Sequence, residues 1–87
     1  MPPSDDPVLY HLPGCPYCQK VRAGLARLGV ELPLRDVGAD AAAARELVRD
    51  GGEDQVPCLR IPHPDGRVEW LYESDDILAW LGRRYRG

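Results

Sequence analysis

Apolar positions along the chain alternate between two kinds of spacing. Four short apolar runs, bounded by turn residues, are typical of strands, at 8–12, 32–37, 57–61 and 68–72. Three longer segments carry apolar residues at helical spacing, at 16–28, 41–50 and 75–85. The pattern therefore predicts the element order β-α-β-α-β-β-α.

The first predicted helix places a pair of cysteines in two different environments. Four residues fall at offsets of three or four and share one face of this helix, namely Cys18, Val21, Leu25 and Leu28. Cys15 comes just before Pro16, which suits the first helical position. We therefore expect Cys18 to point inward and Cys15 to stay at the exposed end of the helix.

The other two helices have capping residues and apolar faces of their own. Asp40 suits the N-cap of the second helix, whose predicted inward residues are Ala43, Ala44, Leu47 and Val48. Ser74 suits the cap of the third helix, whose apolar stripe comprises Ile77, Leu78, Leu81 and Tyr85.

The connections between the predicted elements define the sheet. The first β-α-β unit predicts a parallel pair with a right-handed crossover, and the hairpin that ends the strand series adds an antiparallel pair. We expect an α/β fold with a mixed four-stranded sheet and three helices.

Length and composition indicate one small domain. The chain has 87 residues and a net charge of −3, so nothing in its charge favours a nucleic acid or an anionic membrane as partner. We expect residues 1–7 to be a flexible lead-in and residues 8–87 to form a single domain. The first residues lack the basic and apolar regions of a secretory signal, so we expect the protein to lie in the cytoplasm. We also expect it to be a monomer.

The position of the two cysteines determines their chemistry. Cys15 lies at a strand-to-helix junction, where unpaired amides and the helix dipole favour a negative charge. A thiolate is such a charge, and it is the reactive form of cysteine. Structural disulfides are rare in the cytoplasm, so a Cys-x-x-Cys pair there points to redox or metal chemistry. The third cysteine, Cys58, reads as a small core residue in the third strand.

Three motifs resemble a known group of proteins over residues 8–85. The element order around Cys15-Pro16-Tyr17-Cys18 resembles the thioredoxin fold, and these four residues resemble the dithiol motif of glutaredoxins. Gln55-Val56-Pro57 resembles the family's Val-Pro segment, whose proline is cis. Glu73-Ser74-Asp75 is similar to the helix start that holds the γ-glutamyl end of glutathione, and its Glu-Ser pair is more typical of the N-terminal domain of glutathione transferases.

The resemblance implies a glutathione-dependent thiol-disulfide oxidoreductase that reduces protein or glutathione mixed disulfides. Cys15 would be the nucleophile and Cys18 the resolving thiol. The glutathione-binding residues that it implies are Tyr17, Lys20, Gln55, Val56, Pro57, Ser74 and Asp75. Glutathione would act as co-substrate with no metal, and the protein partners would be disulfide-containing or glutathionylated proteins.

One position departs from the glutaredoxin pattern. Leu12 stands where glutaredoxins commonly carry a lysine that meets a glutathione carboxylate. Lys20, the only lysine in the chain, fits the family's basic residue shortly after the motif. Arg45 and Arg49 are candidate substitutes for the missing lysine.

Two other functions stay open at this point. Glu73 and Ser74 are compatible with a glutathione-binding, transferase-like domain with weak catalysis. The three cysteines, Cys15, Cys18 and Cys58, could instead hold zinc or an iron–sulfur cluster, although closed zinc sites usually have four ligands.

Overall fold

The computed structural model describes residues 6–86 and contains a mixed four-stranded sheet with three helices. The strands β1 to β4 span Val8–His11, Leu34–Asp36, Cys58–Pro62 and Val68–Leu71. The helices α1 to α3 span Pro16–Leu28, Ala41–Glu46 and Ser74–Arg86. The strand order is β2-β1-β3-β4, with β1 parallel to β2 and antiparallel to β3, and β3 antiparallel to β4. The predicted α/β fold is confirmed.

The bounds of α1 agree with the sequence because both of its ends carry a strong signal. Pro16 occupies the start of the helix, and Gly29 ends it in the left-handed region at φ 69°. The second predicted strand, 32–37, is shorter in the structure because β2 lies at the sheet edge and pairs only with β1, from Leu34 to Asp36.

The second helix departs from its predicted register. Asp40 caps α2, as predicted, and its side chain accepts hydrogen bonds from the amides of Ala42 and Ala43. After Glu46 the chain forms a π-helical turn, Leu47–Gly51, in place of the last α-helical turn. This wider turn changes the angle between successive side chains, so Val48 is 48% exposed. Its predicted inward position is wrong.

The sheet separates two apolar clusters. On the side of α1 and α3, the buried residues are Leu9, Val21, Leu25, Leu59, Ile61, Ile77 and Leu81. The smaller cluster beside α2 comprises Tyr10, Ala43, Leu47 and Cys58, with Trp70 and Tyr72 among the partly buried side chains against it. Both faces of the sheet are thus covered, and the cysteine motif lies at the end of β1 where α1 begins.

The ends of the chain limit what the structure tests. Residues 1–5 lie outside the described residues, so most of the predicted lead-in, 1–7, does too; within it, Pro7 is buried. No helix within residues 6–86 is long and apolar enough to cross a membrane.

Leu59 tests how far the sheet core stabilises the fold. Its side chain is completely buried in β3, so Leu59→Ala should lower the free energy of unfolding by about 2–5 kcal/mol. Leu34→Ala is the matched control, because Leu34 is 46% exposed on the edge strand and should change stability by roughly 0.5 kcal/mol or less. Urea denaturation measures both, and equal losses would contradict the packing described.

Candidate active site

Cys15 is the N-cap residue of α1. Its backbone is extended, at φ −79° and ψ 124°, while its carbonyl already accepts a hydrogen bond from the amide of Gln19. The side chain is partly exposed. Because Pro16 has no amide hydrogen, Tyr17 and Cys18 carry the first free amides of the helix.

These amides favour the thiolate of Cys15. Hydrogen bonding from the backbone amide of Cys18 is the largest cause that lowers the pKa of Cys15, and the Tyr17 amide adds to it. The Cys15 side chain makes no capping hydrogen bond of standard geometry, and the free amides act on its sulfur through their partial positive charge. Partial burial opposes the effect, but the pKa stays below its ordinary value.

The other cysteines are held as thiols. Cys18 is completely buried, as the helix register predicts, and burial raises its pKa to about 11. Its sulfur accepts a hydrogen bond from the Leu12 amide at 3.5 Å. Burial raises the pKa of Cys58 to about 12. Within residues 6–86, no three His, Cys, Asp or Glu side chains are grouped so that they could hold a metal ion.

A cleft of about 260 Å³ lies between the first turns of α1 and α3 and the segment before β3. The residues that line it are Tyr17, Lys20, Gln55, Val56, Pro57, Glu73, Ser74 and Asp75. The structure thus brings together all seven residues that the resemblance implied for glutathione. Cys15 and Cys18 do not line the cleft, although Tyr17 joins them to it along the chain.

The α3 side of the cleft carries opposite charges. The Lys20 ammonium of α1 forms an ion pair with the Asp75 carboxylate at the start of α3, and both side chains are largely exposed. Ser74, the first residue of α3, is buried. The helix therefore offers its free amides to the cleft beside one carboxylate and one ammonium.

The segment before β3 forms the opposite wall of the cleft. The Val56–Pro57 peptide bond is cis, as the resemblance implied, and Pro57 is buried. Gln55 Nε2 donates a hydrogen bond to Glu73 Oε1 at 3.4 Å.

Glu73 is the lining residue that was not among the predicted site residues. Its backbone lies in the left-handed region, at φ 67°, where residues other than glycine are uncommon. Its carbonyl accepts the first helical hydrogen bond of α3, from Ile77. The Glu-Ser pair in the sequence pointed to this position, but nothing in the sequence indicated the backbone conformation.

The substitutes suggested for the missing lysine lie elsewhere. Leu12 is 38% exposed and follows β1. Arg49 forms a double hydrogen bond with the neighbouring Asp50, and neither Arg45 nor Arg49 is among the described residues that line the cleft. The ammonium of the cleft therefore comes from Lys20.

A larger cleft lies between α1 and α3. Its volume is about 520 Å³, and its lining residues are Gly24, Arg27, Leu28, Leu78, Ala79, Gly82 and Arg83. None of these side chains is a nucleophile or a general base at neutral pH. Size alone therefore does not identify the reactive site.

Fold and site define a class of protein, a thioredoxin-like α/β domain with a Cys-x-x-Cys pair at the start of its first helix. Residues 9–87 match the family described as glutathione S-transferase, N-terminal domain. The chain belongs to this family. The glutaredoxin class that the motif resembles is not established by this match, and the search of curated proteins gave no match.

Solved structures of several enzymes are similar to this chain. Maleylacetoacetate isomerase from Anaeromyxobacter dehalogenans 2CP-1, solved with glutathione in its active site, has 30% identity and a TM-score of 0.69 over 93% of this chain. A delta-class glutathione transferase from Nilaparvata lugens has 28% identity and a TM-score of 0.66 over 91% of this chain. The chain spans only 38% and 36% of these two proteins.

A glutaredoxin is similar over nearly its whole length. The glutaredoxin from Brucella melitensis has 28% identity and a TM-score of 0.61, and the match covers 95% of this chain and 86% of that protein.

The pKa values predict which cysteine reacts first with iodoacetamide. Only the thiolate is alkylated, so the lowered pKa of Cys15 should make it react at neutral pH, while Cys18 and Cys58 stay protected. The rate should fall as the pH drops through the Cys15 pKa, with a midpoint below that of a cysteine peptide measured alongside. Peptide mass spectrometry identifies the labelled residue.

The control for this experiment is Cys15→Ser, which should lose the fast phase of alkylation. First labelling of Cys18 or Cys58 in the native protein, or a midpoint equal to that of the peptide, would contradict the assignment.

Proposed function

We propose that the protein is a glutathione-dependent thiol-disulfide oxidoreductase that reduces disulfide-containing or glutathionylated proteins in the cytoplasm, as a monomer. The observation that carries this proposal is the cleft, which gathers every residue implied for glutathione next to the first turn of α1. Cys15, whose pKa is lowered, begins that helix.

The cleft suits one end of a small peptide. Pockets that enclose a drug-sized ligand have volumes of roughly 300–1,000 Å³, whereas this cleft has about 260 Å³. We expect the γ-glutamyl end of glutathione to lie at the start of α3, with its ammonium on Asp75 and its carboxylate near Ser74 and Lys20. The peptide backbone would then pair with Val56 as an added strand.

This placement brings the glutathione sulfur toward Cys15. The Cys15 thiolate attacks that sulfur in a protein–glutathione disulfide, forms a new S–S bond and releases the protein thiolate. A second glutathione thiolate then attacks the mixed disulfide, so that oxidised glutathione leaves and the Cys15 thiolate is restored. In the net exchange the S–S bond between protein and glutathione breaks and the S–S bond of oxidised glutathione forms, so one free glutathione thiol is consumed. The proton that this thiol loses balances the one that the released protein thiolate takes up from water.

Cys18 offers a second way to release Cys15. It would attack the Cys15 sulfur of the mixed disulfide, form a Cys15–Cys18 bond and release the glutathione or protein thiolate that had been bound to Cys15. Because burial raises its pKa to about 11, Cys18 is mostly protonated at neutral pH. It therefore competes only weakly with free glutathione in attacking the mixed disulfide. This supports a main route that uses Cys15 alone.

Serine variants of the two cysteines test this proposal. Cys15→Ser should abolish glutathione-coupled reduction of a small glutathione mixed disulfide, because it removes the nucleophile. Cys18→Ser should keep most of that activity and lose direct reduction of a protein disulfide. A coupled assay of oxidised glutathione production measures both substrates.

Two results would count against these roles. Full turnover of the mixed disulfide by Cys15→Ser would exclude Cys15 as the nucleophile. Equal survival of both activities in Cys18→Ser would exclude its resolving role.

The family match favours one alternative, a glutathione-binding, transferase-like domain with weak disulfide chemistry. The Glu73-Ser74 pair and the match to the transferase N-terminal domain support it. In that case glutathione would bind tightly while reduction of the mixed disulfide stayed slow. Calorimetric titration of glutathione into wild type and Cys15→Ser, beside the turnover assay, separates binding from chemistry.

Asp75 and Asp76 form a matched pair for testing the cleft. Both are exposed acidic residues in the first turn of α3, but only Asp75 lines the cleft. Asp75→Asn should raise the KM for the small glutathione mixed disulfide, whose glutathionyl group occupies the cleft, roughly tenfold, the loss expected for one charged hydrogen bond. Asp76→Asn makes the same change in net charge and should leave KM within about twofold.

Steady-state kinetics at varied concentrations of the mixed disulfide, with the glutathione concentration held fixed, measures both variants. Equal KM values for Asp75→Asn and wild type would argue against glutathione at the start of α3.

A further inference from the structure

The Tyr72 hydroxyl lies between two segments that are far apart in the sequence. Tyr72 follows β4 and comes two residues before Ser74, where α3 begins. Its hydroxyl accepts a hydrogen bond from the Glu53 amide at 3.3 Å and lies 3.4 Å from the Glu53 carbonyl, to which it can donate. One side chain thus binds both polar backbone groups of a residue 19 positions away.

The neighbouring residues make a second link between the same segments. Gln55 Nε2 donates to Glu73 Oε1 at 3.4 Å. The loop of residues 53–56 is therefore joined to residues 72 and 73 at two adjacent positions. Each of these segments supplies one wall of the cleft, with Val56 on one side and Ser74 on the other.

Contacts with the smaller apolar cluster and with Gly51 also fix the position of the Tyr72 side chain. The side chain packs against the smaller apolar cluster, which includes the buried Cys58. Gly51 leaves just enough room for it, because a Cβ added at Gly51 would lie 2.4 Å from the hydroxyl and 3.0 Å from Trp70 Cε3. The π-helical turn that ends at Gly51 thus brings the backbone against the ring.

We propose that Tyr72 is a positioning residue for glutathione, because its hydroxyl fixes the loop of residues 53–56 against the start of α3. These hydrogen bonds between Tyr72 and Glu53, the tie between the walls, set the distance between the two walls of the cleft. Tyr72 lies outside the lining and touches neither the peptide nor the reacting sulfur. This inference rests on the proposed function, since it takes glutathione as the ligand of the cleft.

Tyr72→Phe tests the proposal, with Tyr85→Phe as the matched control. Tyr85 is also partly buried, but it lies near the end of α3 and contacts Trp80 edge to face. Tyr72→Phe should raise the KM for the small glutathione mixed disulfide roughly 3- to 10-fold, as expected for one lost hydrogen bond. The rate of Cys15 alkylation should not change, and Tyr85→Phe should leave both quantities as in wild type.

Amide hydrogen exchange reports the tie independently of glutathione. In Tyr72→Phe the Glu53 amide loses its acceptor, so its exchange should become faster while exchange in α1 stays the same. All measurements are made well below the melting temperature of each variant, so that a loss of global stability does not appear as a loss of binding.

Gly51→Ala provides a second test through coupling. Its Cβ should displace the Tyr72 hydroxyl in the wild-type background and raise KM. In the Tyr72→Phe background that hydroxyl is already absent, so the same substitution should cost less, and the two effects should not add. Gly82→Ala is the control, because an added Cβ there meets nothing within 4 Å.

The outcomes separate the two proposals. An unchanged KM together with unchanged Glu53 exchange in Tyr72→Phe would overturn the positioning role, as would additive effects in the double variant. A wild-type protein without glutathione-dependent turnover would overturn the proposed function instead, and faster Glu53 exchange in Tyr72→Phe would then still support the tie between the walls.

Discussion

The position of α1 against the sheet is the constraint on which the site depends. Cys18 is completely buried together with Val21 on the same face of the helix, so the first turn of α1 cannot rotate without exposing apolar surface. Cys15 lies three residues earlier, at the N-cap, where free amides favour its thiolate. One helix register therefore accounts for both a thiolate-favouring cysteine and a protected one. The packing of this face, together with the backbone hydrogen bonds of Cys15 to Leu12 and Gln19, keeps the sulfur where the amides act on it.

The cleft is built from parts that are separate in the sequence and meet at one end of the sheet. The first turn of α1, the segment that ends at Pro57 and the first turn of α3 each contribute lining residues. Since β1 and β3 are neighbours in the sheet, the segment before β3 lies close to the end of β1 where α1 starts. The chain belongs to the family described as glutathione S-transferase, N-terminal domain, and its fold is similar to that of a glutaredoxin. The fold therefore supplies the cleft, and the side chains decide which chemistry it supports.

The sequence predicted those features that depend on local signals. Helix α1 was predicted to the residue because Pro16 and Gly29 mark its ends. The inward position of Val48 was wrong, since a π-helical turn has no clear signature in apolar spacing. The tie between Tyr72 and Glu53 could not be predicted either. It joins residues 19 positions apart through one hydroxyl group, and no motif or apolar spacing in the sequence marks such a contact. Site residues were identified by resemblance, and only the folded chain brings them to one cleft.

The charges of the cleft favour a ligand that carries both signs. Lys20 and Asp75 are paired with each other, and both are exposed, so separating them costs only about 0–1 kcal/mol. A ligand with an ammonium alone would satisfy Asp75 but leave Lys20 without its partner, and an anion alone would do the reverse. An amino-acid end such as the γ-glutamyl group of glutathione replaces both partners at once. In the proposed complex its carboxylate would also meet the free amides at the start of α3. Although Leu12 stands where glutaredoxins commonly carry a lysine, the cleft still has a cation, because α1 supplies Lys20.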